Sequence, residues 1–237
     1  MITLINKILF SNGYERLDIE PSSSNEIFYA FCLPEGNKRE EYFVTIQLQE
    51  QSDTAAQELL HEKAQILFEE ISNSGKVDRP FEKNCTLLIC HEEEKISRQT
   101  ILALEEDHYN FKKNVITYTS KELESLESYI IETGIEKITN NIISEIINSN
   151  TGRKFLTFKN DHTNKKDYYS LILKTALKLP FITYTPQEQQ LTNLNDEIEK
   201  SLSLYQSSIY SQLMEYDSDW TDENIHQRVE EVWEKLV

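Results

Sequence analysis

The chain has 237 residues, and its 24 Lys and Arg against 41 Asp and Glu give a formal net charge of −17. A surface this acidic repels the phosphate backbone at long range, which argues against simple DNA binding by the isolated chain. The 38% of hydrophobic residues is enough for a packed core and too much for wholesale disorder. No apolar run approaches the roughly 20 residues of a transmembrane helix, and the N-terminus lacks a signal-peptide pattern, so we expect a cytoplasmic protein without membrane contact.

The first third of the chain predicts a helix, a hairpin and a second helix. Residues 2–11 carry one apolar helical stripe. The strand-like runs 26–33 and 41–48 flank the turn sequence Pro-Glu-Gly-Asn, which predicts a β-hairpin. A helix with a single buried face then follows an N-cap at Asp53 or Thr54.

The middle of the chain predicts a buried strand and a long helix. Residues 85–90 are apolar throughout, which is typical of a central strand covered on both faces. Thr119 and Glu122 form the capping box T-x-x-E, which predicts the start of a helix that runs to about residue 148. Gly134 is the weak point of that helix.

The last third predicts mostly helices. Residues 155–158 favour a short strand, and residues 167–179 predict a helix that Pro180 ends. A second capping box at Thr185 predicts a long helix of about 25 residues, and a final helix begins near Asp222.

This order of elements predicts an α+β fold in two parts. A small mixed α/β domain spans residues 1–150, and a mostly helical extension spans residues 151–237. Residues 151–178 hold seven bases and two acids, a net charge of +5, whereas residues 196–237 hold three bases and eleven acids, a net charge of −8. The basic stretch is either a patch for nucleic acid or an acidic partner, or an ordinary solvated face. Its candidate residues are Arg153, Lys154, Lys165 and Lys166.

The three cysteines, Cys32, Cys85 and Cys90, lie in apolar strand-like segments. Their number is odd, and the sequence has no CxxC pair and no histidine at zinc-finger spacing. They therefore indicate buried, reduced thiols rather than metal ligands.

Sequence motifs for catalysis are absent from the chain: there is no GxxxxGK[ST], GxGxxG, GxSxG or HExxH. We therefore predict no catalytic residue, no metal site and no cofactor. Glu93 and Lys95 share the E-x-K spacing found in metal-dependent nucleases, but a two-residue match arises by chance in a chain this charged.

The densest pattern of charges and aromatics lies in residues 105–119, within a stretch that also predicts a short helix after residue 97. If Tyr109 and Phe111 anchor this segment in the core, its acids and lysines can form a compact lattice of ion pairs. The segment is a structural clasp or a partner-docking surface, with the clasp slightly favoured. Its candidate partner-binding residues are Glu105, Glu106, Asp107, Tyr109, Phe111, Lys112 and Lys113.

A second candidate partner surface is the apolar stripe of the long helix predicted after residue 185. The final predicted helix is shorter, so it covers only part of this stripe and leaves the rest for a coiled coil of a partner. The candidate residues are Leu194, Ile198, Leu202 and Tyr205.

The order of these features resembles the middle component of bacterial ABC-three-component systems, a class that includes the accessory subunit of Lamassu-type defence operons. The resemblance covers roughly residues 1–150. It is based on the N-terminal helix, the apolar strand pair, the strand at 84–90 and the run from Glu105-Glu106-Asp107 to Phe111-Lys112-Lys113. His108 stands where the family motif usually has proline.

The resemblance implies a non-enzymatic subunit that assembles with an SMC-type ATPase and an effector, commonly a nuclease, against phage or plasmid DNA. It implies that the chain meets DNA only through the complex. Two alternatives stay open: a divergent metal-dependent nuclease that uses Glu93 and Lys95, and a nucleic-acid-contacting module that uses the basic residues of 151–178.

Overall fold

The structure is a computed structural model that divides into two compact units, Met1–Gln187 and Glu188–Val237. It describes residues 1–19, 27–34, 36–37, 39–162, 164–184, 200–214, 221, 224–227 and 229–230.

A five-stranded mixed sheet forms the centre of the first unit, in the order β1-β2-β3-β4-β5. Its strands are β1 (Glu15–Leu17), β2 (Ile27–Cys32), β3 (Tyr42–Gln47), β4 (Cys85–Glu92) and β5 (Lys112–Tyr118). The pairs β1–β2 and β2–β3 are antiparallel, whereas β3–β4 and β4–β5 are parallel. The predicted hairpin and the predicted buried strand are both confirmed, and β5 is a strand that the sequence patterns did not predict.

Helices cover both faces of the sheet. The helices of the first unit are α1 (Ile2–Ser11), α2 (Asp53–Glu58), α3 (Ala64–Asn73), α4 (Phe81–Asn84), α5 (Arg98–Glu106), α6 (Ser120–Thr133), α7 (Asn140–Ile147), α8 (Arg153–Asn160) and α9 (Tyr168–Lys178). The second unit, taken by itself, contains α10 (Leu204–Met214). A π-helical turn, Leu59–Lys63, joins α2 to α3, and a 3₁₀ turn, Glu93–Lys95, follows β4. The predicted α+β fold is confirmed. Across the described ranges, every helix is too short or too polar to traverse a lipid bilayer.

The apolar side chains form two cores, one on each face of the sheet. Leu88 and Cys90 pack on the side of α1, α6, α7 and α9, whereas Leu87 and Ile89 pack on the side of α2 to α5. Because both faces of β4 are covered, the strand is apolar at successive positions rather than at alternate ones. Cys85 and Cys90 are buried free thiols, and Cys32 is a half-buried one.

The predicted helix from residue 119 to about 148 is wrong, because it is two helices. Its predicted start is confirmed: Thr119 and Glu122 form the capping box of α6. The helix ends at Gly134, whose φ of +66° lies in the left-handed region. The N–H of Ile135 donates to the carbonyl of Ile130 at 3.0 Å, which completes a Schellman motif.

The predicted strand at 155–158 is also wrong, since these residues lie in α8. Three successive residues with positive φ, Asn150, Thr151 and Gly152, precede this helix. A short apolar run has no clear period, so the pattern could not separate a helix from a strand. The predicted helix at 167–179 is confirmed as α9, whose N-cap Asp167 accepts from the N–H of Ser170 at 3.2 Å.

The compact N-terminal unit extends beyond residue 150, where the sequence analysis divides the chain. Helix α9 contributes Tyr169, Leu171 and Ile172 to the same core as α1, because its apolar face needs the sheet to be buried. Helix α9 therefore belongs to the same compact unit as the sheet.

The second unit contains α10, and the predicted continuous helix across residues 202–205 is wrong. The side chains of Ser203 and Gln206 cap each other's backbone N–H groups, at 2.9 Å and 3.4 Å, and so start a new helix. Leu194, Ile198 and the residues after 230 lie outside the described residues.

We predict that Gly134→Ala lowers the free energy of unfolding by about 1 kcal/mol, because a Cβ is disfavoured in the left-handed conformation. No atom lies within 4 Å of the added Cβ, so the loss measures backbone conformation alone. Gly134→Asn is the matched control and should lose less, because Asn tolerates this region. Urea denaturation measures both variants, and equal stability of Gly134→Ala and the wild type would contradict the prediction.

Candidate functional site

The segment that connects α5 to β5 sends its side chains in two directions. Phe111 is fully buried and Lys113 is 1% exposed, whereas Tyr109 is 81% exposed. Phe111 therefore anchors the segment in the core, as predicted. The prediction that Tyr109 also does so is wrong. Asn110, with a left-handed φ of +65°, belongs to a loop that leaves the Tyr109 side chain in solvent. Facing the protein are Glu105, Asp107, Phe111 and Lys113. Facing solvent are Glu106, His108, Tyr109 and Lys112.

The ammonium of Lys113 holds this loop closed from inside. Its Nζ lies 2.5 Å from the carboxylate of Asp107. It also donates to the backbone carbonyls of Tyr109 at 2.7 Å and Phe111 at 3.4 Å. A buried ammonium is tolerated only when paired and hydrogen-bonded, so these partners specify the conformation of the loop.

The carboxylate of Glu105 covers the outer edge of β5. Its Oε1 accepts from the backbone N–H of Val115 at 2.9 Å and from Lys178 Nζ at 2.6 Å. The side chain of Asn114 donates to the carbonyl of Lys178 at 2.7 Å. These bonds protect an edge strand and attach it to the C-terminal end of α9.

A second charged cluster lies where the parallel strands β4 and β5 end. Glu122 is fully buried, and its carboxylate accepts from the backbone N–H of Thr119 at 2.9 Å and pairs with Lys174 at 2.9 Å. Glu93 pairs with Lys166 at 2.6 Å and also with Lys174. Lys174 thus joins the carboxylate of Glu93, in the 3₁₀ turn after β4, to that of Glu122, in the first turn of α6.

The protonation of Glu93 is governed by this cluster. Burial acts to raise the pKa of Glu93, but hydrogen bonds and charges from Lys166 and Lys174 outweigh it, so the pKa lies below its ordinary value of 4.5. Lys95 pairs with Glu92 at 2.7 Å, so the two residues of the E-x-K spacing have other partners. Within the described ranges, no three His, Cys, Asp or Glu side chains come together in a group able to hold a metal ion.

The basic stretch 151–178 is largely used inside the protein. Lys166, Lys174 and Lys178 are in ion pairs. Lys154 Nζ lies 3.8 Å from the centroid of the Tyr168 ring and contacts its hydroxyl. Of the four residues of the predicted patch, Arg153 is exposed and Lys165 is half-buried. Lys154 contacts Tyr168, and Lys166 is paired with Glu93.

The predicted apolar stripe in the second unit is only partly described. Leu202 is half-buried and precedes α10, whereas Tyr205 lies within α10 and is 63% exposed. The two other candidate residues, Leu194 and Ile198, lie outside the described residues.

A cleft opens beside the exposed tyrosine. It has a volume of about 530 Å³ and is lined by Asp107, Tyr109 and Asn110 on one side and by Leu60, His61, Ala64 and Gln65 on the other. The second side belongs to the π-helical turn and the start of α3, and π-helical turns are frequent at functional sites. We call Glu106, His108, Tyr109, His61 and Gln65 the Tyr109 surface.

The ion pairs of α9 were missed by sequence reasoning. The available signal was Lys174 and Lys178, which lie four residues apart on an otherwise apolar helix and so share one face. Their partners lie 52 to 81 residues away along the chain, and no local spacing identifies such pairs.

The geometry defines an α+β domain whose charged segment is locked between α5 and β5 and presents one exposed loop. Residues 41–146 match the family model described as ABC-three component (ABC-3C) system Middle Component 1. The match runs from the start of β3 into α7 and includes the whole segment 105–119. The resemblance to a middle component is confirmed, and a component of such a system has partner subunits. No curated protein and no solved structure matches the chain.

We predict that Lys113→Met destabilises the fold by about 3 kcal/mol, because it leaves Asp107 and the loop carbonyls without their buried donor. The neighbouring Lys112→Met is the matched control: this exposed lysine should change stability by less than about 0.5 kcal/mol. Chemical denaturation of both variants checks the difference, and equal effects would contradict the internal role of Lys113.

We predict that the stabilisation by Glu93 depends on pH. The folded-state pKa is lowered, so the contribution is fully present above about pH 4.5 and is lost as the pH falls through the folded-state value. The difference in unfolding free energy between the wild type and Glu93→Gln should therefore shrink below pH 4.5. Glu94→Gln, at an exposed neighbour, serves as the control. A difference that stays constant with pH would contradict the prediction.

Proposed function

We propose that this chain is a non-enzymatic accessory subunit that bridges an SMC-type ATPase and an effector nuclease in a bacterial complex for defence against phage or plasmid DNA. The observation that carries the proposal is the match of residues 41–146 to the ABC-3C middle component, which includes the segment with Tyr109. The chain then meets DNA only through the complex, as its net charge of −17 favours.

The Tyr109 surface is the proposed contact for one of the partner subunits. The Tyr109 side chain is 81% exposed, so a partner that covers it would remove apolar surface from water. Tyrosine is also one of the residues that most often contribute a large share of the binding energy at interfaces. The loop beneath is held by Lys113 and Phe111, so little conformational freedom remains to be lost on binding.

The non-enzymatic part of the proposal is supported by how the candidate nuclease residues are used. Both oxygens of the Glu93 carboxylate face ammonium groups, and Lys95 faces Glu92. Each oxygen of this carboxylate is paired with an ammonium group, which disfavours the approach of a metal cation. In the proposed mechanism, DNA sensing by the ATPase shifts the contact with this subunit and frees the effector, a population shift between two assembly states.

The bridging role is tested by co-purification of the subunits encoded by neighbouring genes. The ATPase and the effector should elute together when this chain is present and separately when it is omitted. Joint elution without this chain would refute bridging. Metal-dependent DNA cleavage by the pure chain, abolished in Glu93→Ala, would refute the non-enzymatic role.

We predict that Tyr109→Ala weakens association with a partner subunit by about tenfold or more, as expected for an interface centre, and leaves thermal stability unchanged. Ile131→Ala is the matched control, because Ile131 is a similarly exposed side chain, at 78%, on α6. Titration calorimetry with each purified partner measures both. Equal binding by the two variants would place the contact elsewhere.

A further inference from the structure

A groove lies between α1 and the first two strands of the sheet, away from the Tyr109 surface. Its volume is about 510 Å³. Helix α1 supplies one wall, β1 and β2 supply the floor, and the loop after α6 closes the far side. The residues that matter for its chemistry are Lys7, Phe10, Arg16, Tyr29, Phe31 and Lys137.

Aromatic rings line both the α1 wall and the strand floor of the groove. Phe10 is 54% exposed and meets the buried Phe31 edge to face, with ring centroids 5.2 Å apart. The guanidinium of Arg16 lies 4.5 Å from the centroid of the Tyr29 ring. The exposed part of Phe10 is thus an apolar contact area within a wall of fixed rings.

The rim of the groove is basic in a chain whose net charge is −17. Lys7, Arg16 and Lys137 are all exposed. In the part of the chain that the structure describes, none of the three is in an ion pair with a carboxylate. Glu136 also lines the groove, so the local charge is +2 before a ligand binds. This contrasts with the lysines of α9, whose charges are neutralised internally.

We propose that this groove binds an acidic peptide segment of a partner protein. The carboxylates of the segment pair with Lys7, Arg16 and Lys137, and an apolar side chain of the segment packs on Phe10. Opposite charge steers the encounter, and the aromatic contact supplies apolar burial once the segment is seated.

A peptide fits the groove better than single-stranded nucleic acid does. Nucleic-acid grooves combine positive charge with free aromatic faces on which successive bases stack. Here Arg16 lies over the half-buried Tyr29 ring and Phe31 is fully buried, so Phe10 presents most of the exposed ring surface and a run of stacking faces is missing from the groove lining. The net charge of the chain also opposes a long polyanion more strongly than a short acidic segment.

The test is fluorescence anisotropy with the purified full chain and three labelled probes: a short peptide of alternating Glu and Phe, the same peptide with Lys in place of Glu, and oligothymidine. The double variant Lys7→Glu/Lys137→Glu reverses the rim. Lys76→Glu/Lys121→Glu is the matched control, because it changes the total charge equally at two exposed lysines outside the groove. Circular dichroism establishes that both variants are folded.

We expect the Glu-Phe peptide to bind the wild type more tightly than the Lys-Phe peptide does, and to weaken as salt is added. The rim variant should bind it about tenfold or more weakly, and the control variant should bind it as the wild type does. The proposal is overturned if the Glu-Phe peptide does not bind, if the rim variant binds it unchanged, or if oligothymidine binds more tightly. Because synthetic probes replace the partner subunits, failure here leaves the bridging proposal untouched.

Discussion

The carboxylate of Glu105 completes the sheet at its last strand. Strand β5 has a neighbour on one side only, and the N–H of the buried Val115 needs a side-chain acceptor on the other side. Glu105 supplies that acceptor and at the same time binds the ammonium of Lys178. The position of α9, and with it the closure of one core, follows from this bond together with the apolar face of the helix.

The same carboxylate-to-ammonium arrangement recurs along α9. Lys174, one helical turn before Lys178, reaches Glu93 and Glu122 just beyond the ends of β4 and β5. Removing one member of a buried pair is costly, whereas the pair as a whole adds little compared with apolar packing. We therefore infer that these ion pairs fix the position of α9 along the sheet. Most of the stabilisation of the helix comes from the burial of Tyr169, Leu171 and Ile172.

Local signals predicted the elements whose ends are set by neighbouring residues. The capping box at Thr119, the hairpin between β2 and β3 and the helix before Pro180 are of this kind. Strand β5 was missed because its lysines and asparagine break the apolar pattern, yet Lys113 is buried through contacts that a sequence pattern does not show. The ion pairs of residues 105–119 were predicted as a group, but the sequence did not show which of these side chains face inward. That depends on the left-handed turn at Asn110. Residues other than glycine seldom adopt this conformation, so the sequence gives little sign of the turn.

The distance along the chain between Glu105 and Lys178 has a consequence for synthesis on the ribosome. The strand that Glu105 protects is complete at Tyr118, but the lysine that fixes this carboxylate is made 60 residues later. Until α9 has emerged, a nascent chain carries the finished strands with one core lacking the side chains of α9. Three acidic side chains, Glu93, Glu105 and Glu122, are then without their cations. The packing of α9 on the sheet is therefore a late event in translation. Before it happens, the free edge of β5 can pair with other chains.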